Sequence, residues 1–246
     1  LEDSFLQLNW SDEAKINTYT RRPFQPRLIE EVVLAYLNGD TSTQRCTSDF
    51  PDRAIIQQLI PNSNKVFRVV VGIRGDPWTI ISFYSSSARR KFFKKIKHKK
   101  KHDKQKTMTE HDKQEPLAKF IANFTYYDDT NALVVNFTEE PDELAEDATK
   151  YILVYYNQTD KIMAIRIDSP TICIRGITND KPSFTLNPTY DEERDIFKIN
   201  FADSISMTTF QKTDVEDVEI EIDDEGKLVA ILFHNANIKM ANMCVK

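Results

Sequence analysis

The sequence predicts an α+β fold class: a small α/β domain at the N-terminus, followed by a mostly β domain built as a tandem repeat. Three observations predict it: an amphipathic helical segment, a lysine-rich segment near the middle of the chain, and a strand pattern that occurs twice in the second half. The 246 residues, 40% hydrophobic and 29% charged, are typical of one or two globular domains. We therefore place an α+β domain at residues 1–95, a linker at 96–116 and two repeats at 117–180 and 181–246.

The predicted helix of the first domain runs from Pro26 towards Gly39. Its apolar residues recur at steps of three and four, so they share one helix face; they are Leu28, Ile29, Val32, Val33, Tyr36 and Leu37. Pro26 suits the first helical turn, and Gly39 suits the position just after the helix.

Three strands are predicted after this helix. Residues 54–60 lie between Pro51 and Pro61, which leaves too little chain for a typical helix. The β-branched and aromatic runs at 66–71 and 78–84 flank a turn rich in Gly, Asp and Pro, and this pattern predicts an antiparallel hairpin. Because both runs are almost continuously apolar, we expect both faces of the hairpin to be covered.

Charge is unevenly distributed along the chain. Residues 1–115 contain 21 Lys and Arg against 14 Asp and Glu, whereas residues 116–246 contain 12 against 24. Eleven basic residues lie between Arg89 and Lys106, and such a block repels itself and predicts a linker. The division predicts that the two halves attract each other or that the basic half binds a polyanion. Uneven surface charge without a function is the alternative.

The second half contains an internal repeat. Residues 127–137 match residues 190–201, with one residue fewer in the first turn, and residues 155–167 match residues 221–233 without a gap. Each copy is predicted to hold four short strands, arranged as a strand, a variable excursion and a hairpin.

Four short strands bury too little surface to be stable alone. The copies are therefore predicted to pack on each other, either across a pseudo-twofold axis or side by side. Their final hairpins carry Gly226 in the second copy and Asp160 in the first where the turn requires a positive φ.

The second copy carries a pattern of Tyr-Asp, an acidic turn, alternating apolar residues and a later Asp-x-x-Gly turn. On these residues the repeat resembles domain-of-unknown-function family 2283, a short β-rich unit, over about residues 124–240. The matching residues are Tyr190, Asp191, Asp195, Phe197, Ile199, Phe201, Asp223, Gly226 and Ile231. The first copy departs from the pattern at Asn131 and Asp160, and Ala164 and Ala230 stand where Gly is common.

In the first domain, basic residues near the helix and Gly39 are followed by Phe-Pro-Asp-Arg at 50–53, Arg-Val-Val at 68–70 and Ser-Phe-Tyr at 82–84. Over about residues 10–92 this resembles domain-of-unknown-function family 4258, which is similar to BrnT- and RelE-like toxin ribonucleases. Tyr19 (or Thr18) and Arg68 stand where that family often has His. The two families occur as neighbours in bacterial toxin–antitoxin operons, so the resemblance implies a fused toxin–antitoxin-like protein.

Arg68 and Tyr84 are the candidate catalytic residues, on the two strands of the predicted hairpin. Metal-independent cleavage of RNA needs a base for the 2′-OH, a cation for the phosphate and an acid for the leaving oxygen, and the resemblance implies Arg and Tyr in such roles. An ordinary strand Arg and a strand-end aromatic residue are the alternative. The candidate nucleic-acid-binding residues are Arg21, Arg22, Arg27, Arg89, Arg90, Lys91, Lys94 and Lys95.

RNA or another polyanion is the predicted partner, together with contact between the acidic and basic halves. The acid-rich segment 214–225 is predicted to be a strand with one acidic face. That face either is simply exposed to solvent or mimics phosphates and covers the basic half. No cofactor or metal site is predicted, because the four histidines form no metal-binding or nucleophilic arrangement. Three of them, His98, His102 and His111, fall in the linker, where weak binding of a transition metal is the alternative to a solvated segment.

No apolar run is long enough to cross a bilayer. The start of the sequence does not match a signal peptide, and three widely spaced cysteines suggest a reducing compartment. We therefore expect an intracellular protein, cytoplasmic or nuclear. The functional alternative to the toxin–antitoxin-like reading is a non-catalytic interaction or scaffold protein, including a subunit of a ribonucleoprotein assembly. The oligomeric state stays open.

Overall fold

The computed structural model describes residues 8–20, 25–46, 48, 50–60, 63, 65–87, 121, 123–142, 144–177, 184, 186–202 and 207–241. Within these residues the protein is mostly β with some helix and contains three five-stranded sheets. The predicted linker at 96–116 lies outside the described residues.

The N-terminal sheet has the strand order β1-β5-β4-β3-β2, in which β1 runs parallel to β5 and all other neighbours are antiparallel. Its elements are β1 (Asn9–Trp10), α1 (Asp12–Thr20), α2 (Pro26–Leu37), β2 (Thr43–Cys46), β3 (Arg53–Leu59), β4 (Lys65–Gly72) and β5 (Thr79–Ser87). The predicted helix, the strand at 54–60 and the antiparallel hairpin are confirmed. Gly39 has φ +79°, the conformation expected after a helix.

Helix α1 was not predicted because its sequence has no apolar stripe. It begins after Ser11, whose Oγ accepts the backbone N–H of Ala14 at 3.1 Å, an N-cap interaction. Trp10 Nε1 donates to Glu30 Oε1 at 2.8 Å and so ties β1 to α2. The two helices cover one face of the N-terminal sheet, where Ile29, Val32 and Val33 of α2 join the core.

The two repeats have the same topology. The first-repeat sheet has the order β6-β7-β10-β9-β8, and the second-repeat sheet has the order β11-β12-β15-β14-β13. The first repeat comprises β6 (Asn123–Tyr127), β7 (Ala132–Asn136), β8 (Leu144–Asp147), β9 (Ile152–Tyr156), β10 (Ile162–Asp168) and α3 (Pro170–Cys173). The second comprises β11 (Asn187–Asp191), β12 (Ile196–Asn200), β13 (Thr208–Lys212), β14 (Val218–Asp223), β15 (Leu228–His234) and α4 (Ala236–Lys239). The predicted tandem repeat is confirmed, with five strands per copy where four were predicted, because β8 and β13 form within the variable excursion.

The predicted one-residue gap between the copies is wrong. Tyr126 lies opposite Leu133 in the first repeat, as Tyr190 lies opposite Phe197 in the second. Both turns therefore contain four residues, and Tyr126, not Tyr127, is the counterpart of Tyr190. Each of these tyrosines bonds the residue of positive φ that ends its turn: Tyr126 Oη donates to Asn131 Oδ1 at 3.2 Å and Tyr190 Oη to Asp195 Oδ1 at 2.8 Å.

A pseudo-twofold axis relates the two repeats, because their contacts are reciprocal. The N–H of Arg175, after α3, donates to Leu228 O, and the N–H of Ala241, after α4, donates to Ile162 O, each at 3.0 Å. Ile162 and Leu228 are the first residues of the equivalent strands β10 and β15. The two inner faces form one shared apolar core, in which Phe137 packs edge-on against Phe197 and Phe233. The prediction that the copies pack on each other is confirmed.

The excess of positive charge in the first 115 residues comes from residues 88–115, which lie outside the described residues. Residues 1–87 contain 9 Lys and Arg against 10 Asp and Glu, whereas residues 88–115 contain 12 against 4. Among the described residues, the charged contacts between the N-terminal domain and the first repeat are therefore individual ion pairs.

Candidate functional site

The face of the N-terminal sheet opposite α1 and α2 carries two arginines and several hydroxyl or amide side chains. We call it the arginine face; its residues are Arg53, Ile55, Gln57, Arg68, Val70, Ser82, Tyr84 and Ser86. Alternation along the strands places these side chains on one side and the core residues Phe67, Val69 and Phe83 on the other.

The two candidate catalytic residues are direct neighbours on the arginine face. Arg68 on β4 lies opposite Tyr84 on β5 in the strand ladder. Around them, Arg68 Nε donates to Gln57 Oε1 at 3.4 Å, and Arg68 Nη1 donates to Ser86 Oγ at 3.3 Å. The structure therefore brings together the pair that the sequence placed on one hairpin.

The outer face of the first-repeat sheet covers the arginine face. Val70 and Tyr84 pack there against an apolar patch of the first repeat made of Ala145, Leu153, Tyr155 and Ala164. Arg68 and Tyr84 are each only 3% exposed. Both faces of the predicted hairpin are thus covered, one by helices and the other by the first repeat.

A carboxylate of the first repeat accompanies each arginine of this face. Asp147 Oδ2 lies 3.6 Å from Arg68 Nη1, and Asp168 Oδ1 lies 3.0 Å from Arg53 Nη1. Arg53 Nη2 also donates to Thr130 O at 2.6 Å. Arginine pairs with carboxylates and with phosphates, and each guanidinium group of this face has one carboxylate oxygen of the first repeat beside it.

Two further charged residues complete a buried ionic network between the N-terminal domain and the first repeat. Arg166 Nη2 of β10 lies 2.8 Å from Asp168 Oδ1 and 3.1 Å from Glu13 Oε2 of α1. We call Glu13, Arg53, Arg166 and Asp168 the ionic network; all four are at least nine-tenths buried. Removing one partner of a buried ion pair usually costs about 3–5 kcal/mol, because the other charge stays buried without compensation.

The turn between β6 and β7 joins this contact. Asp129 Oδ2 accepts the backbone N–H of Asp12 at 2.8 Å, which places a carboxylate at the N-terminus of α1, where the helix dipole favours negative charge. Thr130 Oγ1 donates to Glu13 Oε2 at 3.1 Å. The turn therefore fixes how α1 and the first repeat are oriented.

The protonation equilibria follow from this burial. Burial raises the pKa of Tyr84, and the nearby Asp147 carboxylate raises it further, so its hydroxyl is a weaker acid than that of a free tyrosine. For Arg166, burial alone would lower the pKa, but the carboxylates of Asp168 and Glu13 outweigh it and raise the pKa. Tyr84 therefore stays neutral and Arg166 stays charged in the closed arrangement.

Ser82 marks an imperfect fit between the two faces. It lies opposite Val70 in the ladder and is fully buried. Its Oγ has no hydrogen-bond partner among the described residues. A buried hydroxyl without a partner is unfavourable, so the first repeat does not satisfy every polar group of the arginine face.

The candidate nucleic-acid-binding residues do not extend this face as far as the structure describes them. Arg27 is the second residue of α2, where its Nε pairs with Glu31 at 3.0 Å, and α2 covers the opposite side of the sheet from Arg68. The remaining candidates, Arg21, Arg22, Arg89, Arg90, Lys91, Lys94 and Lys95, lie outside the described residues, as do the linker histidines.

The acidic segment 214–225 belongs to the second repeat, and the basic residues 89–106 that it was predicted to cover lie outside the described residues. Its ordered strand β14 belongs to the second repeat, where Glu219 pairs with His234 at 3.0 Å and Glu221 with Lys198 at 2.8 Å. The alternation of charged and apolar residues predicted a strand correctly, and the carboxylates of Glu219 and Glu221 contact side chains of their own sheet.

Sequence reasoning missed Arg53 as a site residue, although the Phe-Pro-Asp-Arg match contained it. In the structure the Arg53 guanidinium lies 4.8 Å from the centre of the Phe50 ring, and that ring packs against Tyr151 of the first repeat with centroids 5.9 Å apart. Glu13, Arg166 and Asp168 carried no signal in the sequence, because only the docked arrangement brings them together.

Among the residues that the structure describes, no group of three or more His, Cys, Asp or Glu is arranged to hold a metal ion. None of the described helices is long and apolar enough to cross a membrane. Comparisons of the chain with family models, with curated proteins and with solved structures found no match.

Proposed function

We propose that the N-terminal domain binds RNA through its arginine face and that the first repeat inhibits it by occupying that face. The observation that carries this proposal is the pairing of Arg68 with Asp147 and of Arg53 with Asp168, in which two carboxylates stand where phosphates would bind. The proposal agrees with the fused toxin–antitoxin-like protein that the resemblance implies, and it assigns the inhibitory role to the first repeat. The segment from Arg89 to Lys106 would add further phosphate contacts.

The proposed substrate class follows from the groups on this face. Guanidinium groups bind phosphate oxygens bidentately, and the Ser, Gln and Tyr side chains around Arg68 are suited to contact sugar hydroxyls or phosphate oxygens. If the domain cleaves RNA, Arg68 would stabilise the developing negative charge, and Tyr84 would donate a proton once release of the repeat lets water reach it. The raised pKa of buried Tyr84 supports an inactive closed state.

A fragment of residues 1–95 tests the proposal beside the full chain. The fragment keeps its own sheet, both helices and their core, so we expect it to fold. It should bind single-stranded RNA with a steep salt dependence; about four phosphate contacts would weaken binding on the order of 50-fold between 50 and 200 mM salt. The full chain should bind more weakly, because a tethered inhibitor acts at roughly millimolar effective concentration. Equal affinity of the two proteins would contradict the proposal.

Catalysis requires a separate assay on the same fragment. Arg68→Ala should then reduce cleavage on the order of 100-fold, as loss of a group that stabilises transition-state charge usually does, and Tyr84→Phe should reduce cleavage without changing the packing of the ring. Binding of RNA without cleavage would support the proposed RNA binding and contradict the hypothesis that the domain is a ribonuclease.

The second candidate function is a non-catalytic interaction protein in which Arg68 and Tyr84 serve only to join the two units. The specific observation in its favour is that both side chains already contact the first repeat in the closed state: Arg68 pairs with Asp147, and Tyr84 packs against the apolar patch. This candidate predicts that the 1–95 fragment binds RNA no better than the full chain.

A further inference from the structure

In the ionic network each side of the contact supplies both a positive and a negative charge, and phosphate mimicry alone does not explain this. At Arg53 the N-terminal domain supplies the cation and the first repeat the anion, but at Glu13 the N-terminal domain supplies the anion and Arg166 of the first repeat the cation. Asp168 connects the two contacts, since its Oδ1 lies within 3.0 Å of both Arg53 Nη1 and Arg166 Nη2.

These contacts are mechanically coupled. Arg166 and Asp168 are two residues apart on one face of β10, a strand paired on both sides by β7 and β9. A phosphate that binds Arg53 competes with Asp168, and a displacement of β10 that withdraws Asp168 also draws Arg166 from Glu13. Glu13 and Arg166 would then both lose a buried partner unless water reaches them, so the contact opens as a unit.

The second repeat shows that the network is not needed to build a repeat. Leu232 occupies the position of Arg166, since it lies opposite Lys198 as Arg166 lies opposite Val134, and His234 occupies the position of Asp168. The second-repeat sheet nevertheless has the same strand order. The charges at Arg166 and Asp168 therefore serve the contact with the N-terminal domain.

We infer that the ionic network is the lock of the closed state: Arg166 holds the first repeat on the arginine face through Glu13, and a polyanion opens the lock by replacing Asp168 at Arg53. This inference rests on the proposed function and adds the contact that regulates RNA binding. The lock makes binding of the polyanion and release of the first repeat one linked equilibrium.

Arg166→Leu in the full chain tests the lock, with Arg194→Leu as matched control. Arg194 lies in the turn between β11 and β12 of the second repeat, where it pairs with Asp191, so both variants lose one positive charge. We expect Arg166→Leu to bind a single-stranded RNA oligonucleotide at least about tenfold more tightly than the parent. Loss of a positive charge by itself weakens binding to a polyanion, so Arg194→Leu should bind equally or more weakly.

Hydrogen exchange measures the opening without any ligand. In Arg166→Leu the backbone amides of β5 and β8 should exchange faster, whereas those of β12 and β15 should be unchanged, which also shows that the repeats remain folded. The double variant Glu13→Gln/Arg166→Met removes both charges and should return exchange and affinity towards the parent values. Unchanged exchange in β5 and β8 of Arg166→Leu would overturn the lock. Faster exchange without RNA binding in any variant would retain the role of Arg166 in holding the closed state, but would refute the proposed function and the opening by a polyanion.

Discussion

The hydroxyl of Tyr84 is held in the interface as a neutral group, and this has a consequence for stability. Burial and the Asp147 carboxylate raise its pKa above that of a free tyrosine. Tyr84 in the folded protein therefore keeps its proton at a pH where the unfolded chain has lost it. Its contribution is fully present below about pH 10, the unfolded value, and is lost as the pH rises from there through the folded pKa.

We therefore expect the parent protein to lose more stability between pH 9 and pH 11 than Tyr84→Phe does. Phenylalanine keeps the ring against Ala145 and Tyr155 but has no proton to lose. The measurement is the midpoint of urea unfolding of the N-terminal domain at each pH, with amide exchange in β4 and β5 as the probe of unfolding. Tyr190→Phe is the control: the pKa of Tyr190 is raised to about 12, by burial and by its bond to Asp195, but it lies in the second repeat. An identical pH dependence for the parent and Tyr84→Phe would contradict the buried, neutral state of Tyr84.

At the level of elements, the sequence predicted local patterns well and long-range pairing poorly. The helix from Pro26 and the hairpin around Gly72–Pro77 were predictable because apolar period and turn residues act over a few neighbours. The strand β8 was not predictable, since its four residues, Leu144–Asp147, become a strand only by pairing with β9. The alignment error at Tyr126 has the same origin, because two adjacent tyrosines offer two registers that only the ladder distinguishes.

The candidate site also contains contacts that could be predicted from local sequence and contacts that could not. The pairing of Arg68 with Tyr84 followed from a single hairpin and could be predicted from the sequence. The pairing of Asp147 with Arg68 and of Asp168 with Arg53 could not be predicted, because nothing local indicates which of the 24 acidic residues in the second half meets the arginine face. The charge count alone favoured the more acidic segment 214–225, which the structure places on the second repeat.

The equivalent turns at Asp160 and Gly226 provide a test of the repeat at the element level. Both residues have positive φ, +59° and +75°, a conformation that costs most residues with a side chain about 1–2 kcal/mol. We expect Gly226→Ala to lower the free energy of unfolding by about 1 kcal/mol and Asp160→Gly to leave it unchanged or raise it. Urea denaturation of the full chain measures both.

The control for this pair is Asp224→Gly, two residues before Gly226 in the same turn. Asp224 does not have positive φ, so glycine there adds only flexibility to the unfolded chain and should destabilise by roughly 0.5–1 kcal/mol. If Asp160→Gly destabilised as much as Asp224→Gly, the two turns would not be conformationally equivalent.

At the scale of the whole molecule, two kinds of interface join three sheets. The repeats share an apolar core with interlocking aromatic rings and form one unit. The N-terminal sheet meets that unit through a small apolar patch and buried ion pairs, a composition closer to that of interfaces between separable domains. We therefore expect the chain to separate into two domains after β5, with the two repeats together in the second domain.

Limited proteolysis with trypsin tests this division. Cleavage should occur first between Lys97 and Lys113, a segment rich in lysine without apolar anchors. The two nicked halves should still elute together in size-exclusion chromatography, because the buried contacts between them do not depend on the linker. Early cleavage between the two repeats would contradict the shared core, and separation of the halves immediately after nicking would contradict a stable docked state.

Competition between the first repeat and RNA for the arginine face tests the central claim most directly. A labelled RNA oligonucleotide bound to the 1–95 fragment would be titrated with a fragment of residues 117–246 and followed by fluorescence anisotropy. We expect the repeat fragment to displace the RNA, and its Asp147→Asn/Asp168→Asn variant to displace it much less effectively, because the carboxylates that pair Arg68 and Arg53 are gone. A stable complex that contains both the RNA and the repeat fragment on the N-terminal domain would contradict the claim that they occupy the same face.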